Sequence, residues 1–470
     1  MANWGTIYNT TAAALQQHSA TMARLQEQGS SGARIIRPSD DPADAHKILR
    51  LRGQQQMLDT YTANLDEVVR SFGVTESILQ QVSSRLIDAK GELTKAANAA
   101  SGPTVRRTIA GQIDSILEEV VSLANTSSLG RYVLGGSDVA RPPFEVERVS
   151  GKIRSVRYVG SDESLPVPVA PGVAYSAMLV GRDLFYGDER SDPEFLGRTG
   201  AAIGATTASA RGDVYLVVSH QQTHYAGGTG VAAGTSSAGL DTIVGAHTLT
   251  VNAAAHTVSL DSGPTVSFTN ETNLKVTGIT GEVVYVDMSG WAGYDGDVAI
   301  SADAWLSIDD SAPPVSVTSF TDNIAVADAD GRVLYVDATG ITKVGVEPVH
   351  IAGTTDLFGT LIHIRDLLDN TRYMTYQEQT DLLAKAVGSL DDVSKVLTLG
   401  LTALGGRFQA MAALKESVTA IRNRASDQAD ELEQVDIVAV ATELARVQVL
   451  YEMTLAVSAK LMSTSLLDYI

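Results

Sequence analysis

The sequence predicts an elongated α+β protein, in which a long antiparallel helical bundle from both chain termini carries an inserted, outer β-rich domain. Three observations predict it. Apolar residues recur at alternating spacings of three and four near the N-terminal end, and the same spacing returns near the C-terminal end. The stretch between these regions is rich in Gly, Val, Thr and Asp, which favours strands and turns over helices.

Composition limits the architecture. The chain has 470 residues, which is enough for several domains. Hydrophobic residues make up 44% of the chain but aromatic residues only 6%, so its cores must consist mainly of Leu, Val, Ile and Ala. The absence of cysteine excludes disulfides, thiolate zinc sites and thiol nucleophiles. Stability must therefore come from packing.

Charge and hydropathy limit the classes of binding partner that we expect for this protein. The formal net charge of −20 repels phosphate backbones and anionic lipids, so we expect neither nucleic-acid nor membrane binding. No stretch approaches the roughly 20 apolar residues that a membrane span needs. Met1 to Thr21 lacks the basic and then apolar layout of a secretory signal. The protein either stays in the cytoplasm or leaves through a machine that needs no signal peptide.

The N-terminal helices follow from a heptad pattern between Asn64 and Leu93. Its positions are Leu65, Val68, Phe72, Thr75, Leu79, Val82, Leu86, Ala89 and Leu93. Ser101, Gly102 and Pro103 break the pattern, and a second run follows. That run consists of Ile109, Ile113, Ile116, Val120 and Leu123. Two long helices joined by a turn are predicted.

The C-terminal region shows two similar stripes. The first consists of Leu404, Phe408, Met411, Leu414, Val418 and Ile421. The second consists of Val440, Leu444, Val447, Tyr451 and Leu455. Each stripe could face the core of its own domain. Alternatively the two chain ends fold together, and the middle forms a separate outer body.

The middle of the chain predicts β structure. Strands are expected at Ile153–Val159, Val214–Val218, His247–Val251, Thr257–Leu260, Val283–Val286 and Val333–Val336. Gly281–Asp287 followed by Gly290 is similar to Gly331–Asp337 followed by Gly340. This similarity is either a degenerate internal duplication of about 50 residues or a coincidence in a Val/Gly-rich region. Ala201–Gly212 and Ala226–Gly239 are predicted to be loops or linkers.

The search for chemistry predicts no catalytic, cofactor-binding or metal-binding residue, and therefore not an enzyme. The eight histidines form no metal-ligand motif, and His220 and His224 are interpreted as polar loop residues. Asp328–Gly331 lacks the later ligands of a calcium loop and predicts a hairpin turn. No P-loop and no Gly-x-Ser-x-Gly motif occurs. Ser39-Asp40-Asp41-Pro42 predicts a helix cap.

Two terminal motifs carry a family resemblance. Leu25-Gln26, Ser30-Ser31-Gly32-Ala33-Arg34-Ile35 and Arg37-Pro38-Ser39-Asp40-Asp41-Pro42-Ala43 resemble the conserved N-terminal entry of the flagellin superfamily. The closing Ser465-Leu466-Leu467-Asp468-Tyr469-Ile470 fits the other end of that signature. The two ends together identify the chain as resembling this superfamily.

Shorter motifs resemble one branch of the superfamily, the hook-filament junction proteins. They are Ala124-Asn125-Thr126, Gly130-Arg131-Tyr132, Gly135-Gly136, Pro142-Pro143-Phe144, Arg157–Gly160 and Val180–Phe185. The resemblance covers residues 1–186 and 355–470. It implies an assembly helix at 1–40, bundle segments at 41–141 and 355–430, and a second assembly helix at 431–470. It also implies an outer β-rich region at 142–354, expanded within 187–352.

The resemblance implies a structural subunit that joins hook to filament outside the cell, exported without a cleaved signal peptide. Implied partners are copies of itself, the first hook-associated protein on the hook side, flagellin on the filament side, and an export chaperone. Implied subunit-interface residues are Leu15, Leu25, Ile35, Val440, Leu444, Val447, Tyr451, Leu455, Leu466 and Leu467. A filament flagellin is the alternative, and a secreted adhesin or ligand-binding protein is a more distant one.

Overall fold

The computed structural model describes residues 4–98, 102–176, 178–187, 189–308, 313–329, 331–354, 356–372 and 374–467. For Trp4, Gly5, Ile7 and residues 461–467 it describes the backbone alone. Asp330, at the predicted hairpin turn, and Asp468, Tyr469 and Ile470 of the C-terminal motif lie outside the described residues.

Long helices occupy both ends of the chain, as the heptad patterns predict. The helices are α1 (Trp4–Ser31), α2 (Pro42–Ala97), α3 (Pro103–Ala124), α4 (Gly181–Phe185), α5 (Ser237–Leu240), α6 (Leu357–Asp369), α7 (Tyr376–Glu433) and α8 (Ile437–Leu467). Pro42 and Pro103 each occupy the first position of their helix, where the missing N–H has no intrahelical acceptor to lose.

The predicted seam of α2 is buried throughout. All nine positions from Leu65 to Leu93 are at most 2% exposed. Thr75 fits among them because its hydroxyl donates to the carbonyl oxygen of Ser71, one turn earlier, at 3.0 Å. Fully burying each large apolar side chain stabilises the fold by roughly 1.5–3 kcal/mol. This seam is therefore the main stabilising feature of a helix 56 residues long.

Two other stripes depart from the prediction. In α3 the buried residues include Ile109, Ile113 and Val120, as expected, but Leu117 and Ala124 replace Ile116 and Leu123. Ile113, Leu117, Val120 and Ala124 keep the alternating spacing of four and three, so the buried face is a heptad seam in a different register from the predicted one. In α7, Leu404, Met411 and Val418 are buried, Phe408 and Leu414 are half-buried, and Ile421 is 42% exposed. Ala425 and Ala429 continue the buried face instead.

The described part of the chain contains twenty strands between the helical ends. The first six form hairpins and are β1 (Ser127–Ser128), β2 (Arg131–Tyr132), β3 (Phe144–Val149), β4 (Lys152–Tyr158), β5 (Pro166–Ala170) and β6 (Val173–Ser176). The others are β7 (Glu194–Phe195), β8 (Ala202–Ile203), β9 (Gly212–Tyr225), β10 (Ala232–Ala233), β11 (Gly245–Asn252), β12 (Thr257–Leu260), β13 (Val266–Ser267), β14 (Leu274–Thr277), β15 (Val283–Asp287), β16 (Gly296–Ile308), β17 (Val315–Val317), β18 (Ile324–Ala327), β19 (Val333–Asp337) and β20 (Gly345–Ile351).

The predicted strands are all present, and the two predicted loops are mostly irregular. The stretches 201–212 and 226–239 contain the short strands β8 and β10. An eight-stranded antiparallel sheet has the order β13-β12-β11-β16-β9-β20-β7, and β17 also pairs with β16. Two three-stranded sheets, β8-β19-β18 and β10-β15-β14, complete the region. The chain is thus α+β, with helical ends and a central antiparallel region.

The chain divides into two compact units. The first comprises Met1–Arg70, Pro166–Ala177 and Arg407–Ile470. It contains α1, α8, the beginning of α2, the end of α7 and the hairpin β5–β6. The second comprises Ser71–Leu165 and Met178–Gly406, and it holds all the remaining strands.

The α2 seam yields the first prediction. Replacing Leu79, which is fully buried, with alanine should lower the free energy of unfolding by about 2–5 kcal/mol, because it removes apolar contacts and leaves a cavity. Urea unfolding followed by helical circular dichroism measures the loss. The control is Ile87→Ala in the same helix, where the side chain is 70% exposed and the change should stay within about 0.5 kcal/mol. Equal losses in the two variants would contradict the assignment of the seam.

Candidate assembly surface

The two terminal helices pack against each other within the first unit. A Cβ atom on Gly29 would lie 3.6 Å from Cγ1 of Val440, which is ordinary van der Waals contact. Ala33 forms an antiparallel bridge with Gln434. The end of α1 therefore lies beside the beginning of α8, and the two helices run antiparallel.

The residues that the resemblance implied for subunit contacts occupy different environments. Leu25 and Val447 are buried, Leu15, Ile35, Val440, Leu444 and Tyr451 are half-buried, and Leu455 is 44% exposed. Leu466 and Leu467 lie in α8, where the structure describes their backbone but not their side chains. Val440, Leu444, Val447 and Tyr451 share one helical face by their spacing, and Val440 places that face against α1.

A second set of apolar side chains on α8 is exposed. Val438 is 76% exposed, Met453 60% and Val449 49%, and Ile437 and Val457 are similar. Between Ile437 and Lys460 the charged residues are Glu443, Arg446, Glu452 and Lys460 alone. A helix that is apolar on most sides is normally buried on most sides. Since α1 packs on one side of α8, the exposed apolar residues form a candidate surface for a further partner.

Sequence reasoning missed these exposed residues because it followed a single heptad stripe. That stripe selects the face that packs on α1. The signal that could have found the others is the near absence of charge around α8, which a stripe does not measure. We call Val438, Val449, Met453 and Val457 the outer face of α8.

Arg34 holds the turn after α1 to the turn before α8. The backbone N–H of Val435 donates to the carbonyl oxygen of Gly32 at 3.1 Å. The backbone N–H of Arg34 donates to the carbonyl oxygen of Glu433 at 2.7 Å. Its guanidinium donates to Asp44 at 2.6 Å, to Asp41 at 3.3 Å and to the carbonyl of Leu432 at 3.2 Å. These hydrogen bonds fix where both terminal helices leave the rest of the unit. Gly32 permits the turn because its φ is +72°.

The predicted cap motif forms two successive turns before α2. One Asp40 carboxylate oxygen accepts from the N–H groups of Ile36 and Arg37, at 3.2 and 2.8 Å. The hydrogen bond from Arg37 holds the pKa of the Asp40 carboxyl below its usual range. The Asp41 carboxylate accepts from the N–H of Asp44 at 3.1 Å, which satisfies a free amide of the first turn. Ser39 is exposed and Pro42 begins the helix.

Ion pairs join α2 to α7 within the first unit. Arg52 binds Asp430 at 2.8 Å and Glu433 at 2.6 Å. Lys415 binds Asp66 and Arg422 binds Asp59 in the same way. All of these side chains are more than a third exposed, so each pair contributes on the order of 1 kcal/mol or less. Their value is in fixing which residues of the two helices lie side by side.

The shorter family motifs meet around one phenylalanine in the second unit. The Asn125 side chain donates to the carbonyl of Phe144 at 2.8 Å and accepts from its N–H at 2.9 Å. The Phe144 ring is buried against Tyr158, Phe185 and Phe358, with centroid distances of 5.3, 5.6 and 5.0 Å. A side chain on Gly181 would come within 2.8 Å of this ring. These motif residues therefore maintain a packed core.

A buried ion pair lies in the second unit. Nδ1 of His350 is 2.6 Å from a carboxylate oxygen of Asp213. This hydrogen bond raises the pKa of His350, against the opposing effect of burial. Burial, the largest influence on Asp213, raises its pKa, but the nearby His363 and His350 outweigh it and hold that pKa below its usual range. Both shifts favour the charged pair.

The described residues contain no group of three His, Asp or Glu side chains arranged to hold a metal ion. His220 and His224 lie on strand β9 rather than in a loop, so that part of the interpretation was wrong. His220 is 2.8 Å from the hydroxyl of Thr223, and His224 is 2.9 Å from Asp303. Within the same described ranges, no helix is both long and apolar enough to cross a bilayer.

The His350–Asp213 pair yields a prediction about pH. The raised pKa of His350 gives stability that is complete below about pH 6.5 and is lost as pH rises through the folded-state value. The lowered pKa of Asp213 gives stability that is complete above about pH 4 and is lost as pH falls. His350→Gln should therefore lower the urea midpoint most between about pH 4 and pH 6.5, and less in alkaline buffer.

The control for this pH series is His46→Gln, because His46 is exposed on α2. Its urea midpoint should follow that of the wild type across the series. A His350→Gln deficit that is as large at pH 9 as at pH 5 would contradict the proposed source of the stability.

Comparisons with known proteins agree with this arrangement at the N-terminal end. Residues 3–138 match the family described as the bacterial flagellin N-terminal helical region. The flagellar hook-associated protein 3 of Escherichia coli is 28% identical over 176 residues, which cover 37% of this chain and 52% of that relative. The same-named protein of Salmonella typhimurium is 27% identical over 140 residues, covering 30% and 44%.

A flagellin of Clostridium tyrobutyricum is 24% identical over 201 residues, which cover 43% of this chain and 49% of that relative. The solved flagellar hook-associated protein 3 of Legionella pneumophila is 14% identical, with a TM-score of 0.44, and its match covers 82% of this chain and 98% of that one. The chain spans about half the length of the curated relatives it matches. Over the matched regions, the chain is similar to the bacterial flagellin N-terminal helical region and to flagellar hook-associated protein 3.

Proposed function

We propose that this chain is a structural, non-catalytic subunit of the bacterial flagellum, which joins hook to filament by packing its terminal helices against neighbouring subunits. The outer face of α8 carries this proposal. Val438, Val449 and Met453 expose large apolar area to water, and α1 packs on a different face. In an assembly, the corresponding helices of neighbouring copies cover that area, and the burial drives association.

The proposed partners follow from the resemblance to hook-associated protein 3. They are copies of this chain, the first hook-associated protein on the hook side and flagellin on the filament side. The proposed location is extracellular, with export that uses no cleaved signal peptide and an export chaperone that covers the apolar termini beforehand. A chain without cysteine suits this route because no disulfide opposes passage in an unfolded state.

A filament flagellin is the second candidate, and the match to the flagellin of Clostridium tyrobutyricum supports it. Both candidates use the same terminal helices, so the outer face of α8 does not separate them. The two are separated by imaging cells from which the gene has been deleted. Hooks without filaments support the junction role, and hooks with normal filaments contradict it. Loss of the filament with the junction proteins still in place identifies a flagellin.

Substitutions on the outer face of α8 test the assembly mechanism. Met453→Glu should leave the circular dichroism and melting of the purified monomer unchanged, since Met453 is 60% exposed. In the deletion strain it should fail to restore motility, because an unpaired carboxylate is strongly unfavourable in an apolar interface. Gln448→Glu is the control, with the same added charge at an exposed polar position of the same helix. Restored motility with Met453→Glu would contradict the proposed interface.

We also infer that the terminal helices become fully stable only on assembly. Leu25 is the one buried side chain of Thr10–Gln28, so α1 gains little from its own packing. In the monomer, amide hydrogens of this segment should exchange far faster than those of Leu79–Leu93, and hydrogen exchange with mass spectrometry measures both. Equal protection of the two segments would contradict coupled folding and assembly.

A further inference from the structure

Two hairpins of the second unit repeat each other in detail. In β14–β15, Val276 pairs with Val284, and in β18–β19, Val326 pairs with Leu334. Every paired position of the second hairpin is 50 residues after its counterpart in the first. At the strand ends, the carboxylates of Asp287 and Asp337 each accept from the N–H two residues later, at 2.8 and 2.9 Å. This is the short similarity seen in the sequence.

The third strand of each small sheet is also repeated. β10 pairs with β15 through Ala233 and Val286, and β8 pairs with β19 through Ile203 and Val336. A Thr-Gly pair precedes each short strand, and Gly230 and Gly200 both have positive φ, +76° and +94°.

These two glycines make the same close approach. A Cβ atom on Gly230 would overlap the carbonyl oxygen of Gly290, and one on Gly200 would overlap that of Gly340. Only glycine tolerates this combination of backbone angle and contact.

Polar contacts follow the same repeat. The Asn273 side chain accepts from the N–H of Ser236 and donates to its hydroxyl, and the Asn323 side chain does the same with Thr206. The side-chain hydroxyl of Thr242 accepts from the N–H of Val283. That of Ser209 accepts from the N–H of Val333, 50 residues later. The likeness thus extends well beyond two similar hairpins.

The large sheet contains the same four-strand order twice. One set is β13-β12-β11-β16, and the other is β17-β16-β9-β20. Strand β16 belongs to both. Its first half, Gly296–Ala302, pairs with β11, and its second half, Ala304–Leu306, pairs with β17. The register shifts between Asp303 and Ala304, where one set ends and the other begins.

Each set has its own hydrophobic core. Val258, Val284 and Val298 belong to one cluster, and Leu216, Leu334 and Val349 belong to the other. We propose that residues 223–302 are a second copy of the module formed by residues 199–222 and 303–351. This inner copy is inserted into the central hairpin of the outer copy, and it is an accessory body that the outer copy does not need for folding or for its role.

The faces of the two copies support an accessory role for the inner one. In the outer copy, Asp213, Tyr215 and His350 lie on the face of the sheet that packs on α6, where Tyr215 stacks on His363 at 5.0 Å. The equivalent inner positions are Ala246, Thr248 and Ser301, as the pairings of Gly212 with Ile351 and of Gly245 with Ala302 define. Ala246 and Ser301 are exposed and Thr248 is half-buried. The inner copy has small solvent-facing residues where the outer copy binds a helix.

The ends of the inner copy are suited to removal. Gln222 and Asp303 are directly paired across β9 and β16, so a two-residue Asn-Gly turn in place of residues 223–302 can close an ordinary hairpin. The outer copy loses one core side chain, Val244, and the backbone hydrogen bonds that Thr242 and Val244 make with Val344 and Thr342. It also loses side-chain contacts, among them those of Thr223 with His220, His224 with Asp303 and His247 with the carbonyl of Thr342. We therefore expect a lower melting temperature but an intact fold.

The test is the full chain with Asn-Gly in place of residues 223–302. The purified variant should be monomeric, melt in one cooperative transition and resist protease, and it should restore motility to a strain that lacks the gene. Val244→Ala in the full chain measures the effect of the lost core side chain separately. An unfolded deletion variant beside a folded Val244→Ala variant would overturn the proposal. A folded deletion variant that fails to restore motility would overturn the accessory role.

A matched pair of point variants tests whether the cores are independent. Val284 and Leu334 occupy equivalent positions and both are fully buried. With Val284→Asp, protease should cut only within residues 223–302, as identified by mass spectrometry. With Leu334→Asp, it should cut the outer copy and release a resistant inner fragment. Cleavage of both copies in both variants would overturn the proposal.

The accessory role of the inner copy rests on the proposed function, whereas its independent folding does not. If the unmodified chain itself fails to restore motility, the proposed function fails. The folding and protease measurements still decide whether the inner copy is an independent insertion.

Discussion

Continuous apolar burial along the helices is the constraint on which this structure depends. The chain has no cysteine and few aromatic residues, so a helix as long as α2 is stable only if its seam is covered along its length. From Leu65 to Leu93 the chain covers that seam itself. On α8 it covers one face and leaves Val438 and Met453 in water. The need to bury apolar residues therefore explains both the buried seam of α2 and the exposed candidate surface on α8.

The sequence predicted features that depend on local periodicity. The α2 seam and the six strands are visible because side chains alternate inward and outward with a fixed period. The burial of Leu117 instead of Ile116 was not visible, since both registers are apolar and only the tertiary partners select between them. Strand β8 was missed for another reason. It has two residues and exists through pairing with Val336 and Asp337, more than a hundred positions later.

The sequence predicted which helices carry the candidate assembly surface, but not which of their side chains are exposed. The predicted residues Val440 and Val447 lie on the face of α8 that packs on α1, rather than on the outer face. The shorter motifs that carry the family resemblance have a structural role within the chain. Asn125 and Gly181 both contact Phe144 in one packed core, so packing within the chain accounts for these motif residues. These shorter motif residues are therefore distinct from the outer face of α8.

The pairing of Thr223 with Ala302 has a consequence for engineering. Thr223 and Ala302 are the first and last residues of the inner copy, and they face each other across one hairpin, about 5 Å apart. Any folded body whose own ends lie that close can occupy the same place without stretching the strands on either side. The hairpin is thus a ready attachment point for foreign modules, such as an epitope or an enzyme displayed on the protein.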